Sequence, residues 1–223
     1  MSHSILKTQD ILHRYSPTLE IGFPDIEVAP AESLLLLGKS GVGKTTLLHI
    51  LSGILSPTQG KVEVDGQDIF NLSPTQRDKL RGDTIGVIFQ QPHFITSLKA
   101  LENLEIATSF GPSRVPKKAM TDLMDKLQIA SKQDSKVNTL SQGQLQRLSI
   151  ARACLGNPKL LLADEPTSAL DDDNAETVIS LLQQMQQESG AALVIVTHDH
   201  RVRSAIDHTV VLEPSLDQNS IQR

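Results

Sequence analysis

The sequence predicts an α/β fold: a parallel core sheet flanked by helices, with a helical segment inserted into it. Three observations carry this. Short apolar runs alternate with stretches of helical periodicity, the pattern of strand–helix–strand units. One such run, ESLLLLG, feeds directly into the glycine-rich turn GKSGVGKT, which opens a helix. From about Gln91 to Pro158 the strand signals give way to helical ones, so the sheet is interrupted and then resumed.

DIEVAP and ESLLLLG read as strands, the second a short run without polar residues, as a strand buried on both faces requires. TTLLHILSG reads as a helix that stops at Gly53, a residue able to take the left-handed conformation after a last turn. KVEVDG alternates apolar and polar and ends at Asp-Gly, the signal of a tight turn. Ser73-Pro74 opens a helix with proline at its first position, and DTIGVIFQ is a further strand. Met120, Leu123, Met124 and Leu127 make one apolar helical stripe, a core face rather than a ligand groove. QLQRLSIARACLGNP is a helix stopped by Gly156 and Pro158, and KLLLADEP is a buried strand. Asp171, Asp172 and Asp173 start a helix whose dipole they complement, with Val178, Leu181, Leu182 and Met185 on one face. ALVIVTHD and TVVLEP supply the last two strands.

The chain has 223 residues, of which 39% are hydrophobic and 21% charged, an ordinary globular balance. With 21 Lys and Arg against 26 Asp and Glu, the formal net charge is −5, and nucleic acid is not an expected partner. Aromatic residues are 3% with no Trp, which argues against a stacking platform for single strands. The single cysteine, Cys154, lies in an apolar helical run and reads as a small core residue in a reducing compartment. The N-terminal residues show no basic stretch followed by an apolar one, and no window approaches the roughly 20 apolar residues of a membrane span. A membrane role therefore calls for a partner.

GKSGVGKT, Gly38 to Thr45, fits the spacing of a phosphate-binding loop and lies between strand and helix, where the mechanism needs it. Gly38, Gly41 and Gly43 let successive amides turn inward toward phosphate oxygens, while Lys39, Ser40 and Val42 complete the curl. Lys44 is placed for the β- and γ-phosphates, and the Thr45 hydroxyl for Mg2+, with Thr46 following in the first helical turn. LLLADE supplies the partner motif. Asp164 emerges at the carboxyl end of a buried strand, where it would hold Mg2+, and Glu165 would serve as general base toward the attacking water. Together these motifs predict a nucleoside-triphosphate hydrolase without saying which kind.

The run LSQGQLQRLSIARACLGNPKLLLADEPTSALD resembles the signature region of ATP-binding cassette (ABC) proteins. The whole order of motifs follows that family: phosphate loop, Gln90 after VIF, LSQGQ, LADEP, SALD and VTHD. The resemblance implies a P-loop ATPase with a parallel core sheet, an antiparallel β edge and an inserted helical subdomain. The single domain would span 1–223, with core 1–90 and 158–223 and helical part 91–157. It implies a head-to-tail homodimer in which Ser141, Gln142, Gly143 and Gln144 of one subunit face the ATP of the other. Taken alone, LSQGQ reads equally well as a helix cap with Ser141 as capping residue. By the same resemblance His198 contacts the γ-phosphate, Gln90 reaches Mg2+ and the water, Asp171 crosses the dimer interface and Tyr15 stacks on adenine. A core-packing reading of Tyr15, the only tyrosine, stays open. Gln142 departs from the glycine common in the family, and VVLEPSLDQ lacks the glycine-bearing turn usual after the last strand.

The run from SPTQRDKLRGD to IGVIFQQPHFITSLKALENLEIA looks most like the lipoprotein-releasing, macrolide-exporting and cell-division group of cassette ATPases. That likeness implies a cytoplasmic subunit, peripheral on the inner (plasma) membrane, which docks through Gln91–Leu98 on a separate integral membrane permease. A soluble cassette ATPase of the iron–sulphur assembly type shares every motif and is the alternative. DNA-repair relatives carry a long coiled coil between phosphate loop and signature, for which this interval is too short. A small-molecule kinase leaves LSQGQ and VTHD without a role.

Overall fold

A computed structural model describes residues 4–108 and 115–213, and the tail from Pro214 onward, which the sequence flags for its missing glycine turn, lies outside the described residues. In chain order the elements are β1 (Leu6–Ser16), β2 (Leu19–Gly22), β3 (Glu27–Val28), β4 (Ser33–Leu37) and α1 (Lys44–Leu51). Next come β5 (Gln59–Val64), β6 (Gln67–Asp68), α2 (Pro74–Thr84) and β7 (Ile85–Ile88). Helices α3 (Ala100–Thr108), α4 (Lys117–Lys126) and α5 (Gln142–Cys154) fill the insertion. The chain then returns to the sheet with β8 (Leu160–Asp164), α6 (Asp172–Ser189), β9 (Ala192–Thr197) and β10 (His208–Val211).

Strands β10, β4, β9, β8 and β7 form a wholly parallel sheet in that order. The antiparallel strands make a second five-stranded sheet of their own, with β1 at its centre. β1 and β2 escape the period-two reading of the sequence, and the reason is physical. The pairing of β1 shifts register between Gln9 and Leu12 and again between Arg14 and Ser16, so its alternation breaks twice. The KVEVDG signal holds: Asp65 and Gly66 both have positive φ, 50° and 75°, and join β5 to β6. Ser73 caps α2 through a reciprocal capping box with Gln76, ahead of Pro74 at the first helical position.

The parallel strands are buried on both faces, and their side chains sort by parity. Leu34 and Leu36, Leu160 and Leu162, and Val194 and Val196 pack toward α1 and the antiparallel sheet. Leu35 and Leu37, Leu161 and Ala163, and Leu193 and Ile195 pack toward α5, α6 and the Met120–Met124–Leu127 stripe of α4. The helical segment thus shares one core with the sheet face it covers. Cys154 is partly buried against that core, where burial pushes its thiol up to about 12 and leaves it unreactive.

Among the described residues no helix is long and apolar enough to cross a membrane.

Of the described glycines, Gly86 makes the tightest approach, where β7 meets α5. A methyl group on Gly86 would lie 2.2 Å from the Ala153 carbonyl oxygen and 2.8 Å from Leu161 Cδ2. Backbone cannot yield as a side-chain tip can. Gly86→Ala is expected to destabilise the fold by about 1–3 kcal/mol, the usual range for overpacking. Urea unfolding with an unchanged midpoint would show that α5 can shift without loss.

Candidate nucleotide site

The carboxyl ends of four neighbouring strands point to one edge of the parallel sheet, the place where open α/β sheets collect ligands. β4 runs into the phosphate loop, β8 ends on Asp164 and Glu165, β9 on Thr197 and His198, and β7 is followed by Phe89 and Gln90. Two backbone bonds stitch these ends together: Gly38 donates to the Thr197 carbonyl at 3.3 Å and Glu165 to that of Val196 at 2.8 Å.

In the loop, Gly41 and Gly43 have φ of 86° and 91°, values that side-chain-bearing residues rarely adopt. Val42 is buried and anchors the curl, while Lys39, Ser40 and Gly41 are exposed at its tip. Lys44 is buried at the start of α1 and donates to the carbonyls of Gly38 at 2.8 Å and Lys39 at 3.0 Å. Its ammonium also pairs with Glu165 Oε1 at 3.3 Å. An ammonium has three donors, so Lys44 must exchange some of these contacts for phosphate oxygens.

Glu165 is the hub. Its side chain is buried, and its φ of 46° is a strained value for a residue with a side chain. Oε2 accepts from the Thr197 hydroxyl at 2.7 Å and from the His198 amide at 3.3 Å, and Oε1 meets His198 Nδ1 at 2.8 Å. Burial raises the Glu165 pKa, but the hydrogen bonds from His198 and Thr197 and the charge of Lys44 outweigh it, and the carboxyl lies below its usual range. An ionised carboxylate only accepts, so Nδ1 of His198 carries the proton in this contact. The imidazole itself is exposed.

Asp164 follows the parity of Leu160 and Leu162 and therefore faces the phosphate-loop side of the sheet. It is 2% exposed, and its Oδ1 has no hydrogen-bond partner among the described residues. Burial pushes this carboxyl up, opposed by a hydrogen bond from Thr45. A buried oxygen without a partner, beside a threonine hydroxyl and at the mouth of a phosphate loop, fits Mg2+. No group of three His, Cys, Asp or Glu side chains could form a metal cage among the described residues. Mg2+ needs none, since it is usually held by one or two carboxylates with substrate phosphates and water.

Tyr15 is 46% exposed on β1, which removes the core-packing reading. Its hydroxyl meets that of Thr46, and its ring lies edge-on to His13 at 4.9 Å, so an aromatic surface stands beside the loop. Gln90 is exposed two residues beyond β7.

Ser141 and Asp171 belong to a separate group. Ser141 is the cap of α5: its hydroxyl accepts from the Gln144 amide at 3.3 Å, and its own amide donates to Gln144 Oε1 at 3.1 Å. Gln142 is exposed and Gly143 buried in the first turn. Asp171 caps α6 by accepting from the Asn174 amide at 2.9 Å. No hydrogen bond or ion pair links either residue to the phosphate loop among the described residues.

The family described as ABC transporter matches residues 24–168. The chain belongs to the ABC transporter family. It is an ATP-binding cassette with ATP-hydrolase activity, and it falls in the group that the sequence pointed to. The lipoprotein-releasing system ATP-binding protein LolD of Syntrophotalea carbinolica is 38% identical, over 83% of each chain. The ABC transporter ATP-binding protein YtrE of Bacillus subtilis is 38% identical, over 80% of this chain and 78% of its own. The macrolide export ATP-binding/permease protein MacB of Syntrophobacter fumaroxidans is 35% identical over 94% of this chain, which spans only 31% of that longer protein. Among solved structures, the dimeric post-hydrolysis cassette MJ0796 bound to ADP and Pi superposes with a TM-score of 0.85 at 30% identity, covering 96% of both chains.

Thr197, Thr167, Asp199 and Arg201 escape the sequence reading of this cassette. Thr167 donates to Asp199 Oδ2 at 2.7 Å, and Arg201 Nε bonds both Asp199 oxygens at 2.9 Å. The only signal was their position in or near THD and DEP, which does not separate a structural threonine from a working one.

The depressed Glu165 carboxyl has a sign that can be measured. It contributes stability that is complete above its unfolded pKa of about 4.3 and is lost as pH falls through the lower native value. In urea unfolding at pH 7, 5 and 3, the stability gap between wild type and Glu165→Gln should shrink below pH 4. A gap that stays constant across the series would contradict the ionised, paired state.

Proposed function

We propose that this chain is the ATP-hydrolysing subunit of a transporter, that two copies close head to tail on ATP, and that closure drives a separate membrane permease. One observation carries the reading. The chain holds two complementary half-sites, and neither is complete: a phosphate loop with its base on one side, and the capped Ser141 turn with Asp171 on the other. The dimeric MJ0796 cassette and the transporter names of LolD, YtrE and MacB support it over a permease-free cassette ATPase.

In this reading the loop amides of Gly38–Thr45 and the α1 N-terminus hold the phosphates, with Tyr15 against the adenine. Thr45, Asp164 and Gln90 hold Mg2+, which supplies charge neutralisation on the phosphate oxygens when bound. Lys44 turns from the loop carbonyls and Glu165 toward the β- and γ-phosphates, which frees the Glu165 carboxylate to accept a proton from the attacking water. His198 keeps Glu165 oriented through Nδ1. It can donate to the γ-phosphate from Nε2 only as the imidazolium, or after releasing Glu165. Ser141 and the first-turn amides of α5, from the neighbouring copy, complete the pocket around the γ-phosphate. Gln142, exposed in that turn, adds a side chain where most of the family has none.

The permease contact belongs beside Gln90. Phe94 is half-buried under the Arg152 guanidinium at 4.6 Å, so within Gln91–Leu98 the exposed apolar side chain is Ile95. Asn103 fastens this loop, accepting from the Ile95 amide at 2.8 Å and donating to the Ile95 and Lys99 carbonyls. A groove of about 880 Å3 opens next to it, lined by Ile54, Phe89, Val115 and Arg152 among others. A fastened loop beside an open groove, at the boundary of core and helical parts near residue 90, suits a helix or loop from a permease.

Asp164→Asn should remove the Mg2+-dependent part of the ATP-induced shift in melting temperature. In nucleotide-free protein the same change relieves a buried charge and should raise the melting temperature by a few degrees, as about 1 kcal/mol does. A full Mg2+-dependent shift in the variant would remove Asp164 from the metal site.

Glu165→Gln should bind ATP, hydrolyse it at least 100-fold more slowly, the general-base contribution, and accumulate a dimer in size-exclusion chromatography. Ser141→Ala and Lys44→Ala should each be inactive alone, while their mixture should regain activity through one intact shared pocket. A monomer with ATP bound, or a mixture as dead as its parts, would sink the head-to-tail reading.

A further inference from the structure

The family resemblance turns Gly143 toward a neighbour's ATP. The structure gives it a neighbour within its own chain. A methyl group on Gly143 would stand 2.8 Å from Asn174 Oδ1, closer than real contacts allow, and 3.3 Å from Asn174 Cγ; the oxygen could yield only by loosening the side chain's bonds to Asp171. Asn174 is half-buried in the first turn of α6, directly against the first turn of α5. Its amide Nδ2 donates to both carboxylate oxygens of Asp171, at 2.9 and 3.0 Å, while its backbone amide donates the ordinary helix-cap bond to Asp171 Oδ1 at 2.9 Å. One side chain therefore touches the signature turn with its oxygen and grips Asp171 with its nitrogen.

A cap alone explains only the backbone bond, because Asp171 needs no side-chain partner to satisfy the start of α6. The remaining two bonds occupy a carboxylate that is otherwise solvent-facing; the backbone cap bond first, and these side-chain bonds with it, hold that carboxyl below its usual pKa range. The next residue carries the link onward. Asp172 meets Arg201, whose guanidinium is bound to Asp199; the Asp199 amide donates to Thr197 Oγ1 at 3.0 Å, and that hydroxyl donates to Glu165. The start of α6 thus lies between the turn that faces a neighbour and the base that faces this chain's own nucleotide.

We propose that Asn174 is a positioning residue that locks the signature turn to Asp171, so that both elements this chain presents to the neighbouring subunit move as one body. The inference rests on the shared-pocket reading above. On it, Gly143 is glycine to admit Asn174, and loss of Asn174 damages the neighbour's site rather than the chain's own.

Asn174→Ala keeps the backbone cap and removes the side-chain grip. It should lower kcat about tenfold with KM for ATP and melting temperature near wild type, because the chain's own phosphate loop is untouched. Mixed with Lys44→Ala protein it should regain activity, as Ser141→Ala does. Gly143→Ala should cost a similar factor, and the double variant Gly143→Ala with Asn174→Ala should be no worse than either single one, the non-additivity of two changes at one contact. Should the alanine variant fail to fold, Asn174→Ser, uncharged and too short to grip both Asp171 oxygens, carries the same expectations. Wild-type kcat in Asn174→Ala, a loss that Lys44→Ala cannot complement while it does complement Ser141→Ala, or a double variant reduced about 100-fold would each overturn the inference. If Ser141→Ala also fails to complement, the shared pocket itself has failed.

Discussion

The buried carboxylate of Glu165 is the interaction on which the site depends. The proposed base role requires it to be ionised, yet the strand ends bury it, and burial alone drives a carboxyl toward its neutral form. Three donors from two strand ends reverse that: Thr197 and His198 at the end of β9, and Lys44 beyond β4. The parallel register of β4, β9 and β8 brings those ends level, so the charge state of one side chain is set by the alignment of the whole sheet. The strained backbone of Glu165 belongs to the same arrangement, since a residue continuing the strand would not turn its side chain into that cluster.

Asp164, one residue away, has the opposite environment. Its Oδ1 is buried with no hydrogen-bond partner among the described residues, a local cost that a folded protein keeps at a place where a ligand relieves it. Two adjacent carboxylates thus differ in role because one is saturated with donors and the other is left open. Lys44 sits between these states, tied to its own loop while it also pairs with Glu165.

The signature turn shows how one geometry can serve two readings. Ser141 is a well-formed helix cap, so the capping reading of LSQGQ is correct as far as this chain goes. A capped α-helix start still presents its first-turn amides outward, and that is the property a neighbouring phosphate would use. Gly143 has a close neighbour within the chain, the side chain of Asn174. Local structure and proposed function do not compete at this turn; the first holds in place what the second needs.

The sequence by itself determined the class of fold, the phosphate loop, the Asp164–Glu165 pair and the family, because each is written in contiguous residues whose spacing has a direct physical meaning. It also determined the helical stripe of α4 and the hairpin at Asp65–Gly66, where periodicity and turn chemistry are local. The tertiary structure alone decided the rest. β1 and β2 became legible only through pairing, since two register shifts erase their alternation. Thr197, Arg201 and Asn174 acquired partners from 3 to 32 residues away, and a polar residue's role depends on the partner that folding brings to it. Phe94 and Ile95, equivalent in sequence, were separated into a packed ring and an exposed side chain by Arg152 of α5, which reaches the loop they share. Contacts across the chain, unlike spacing along it, exist only once the sheet has closed.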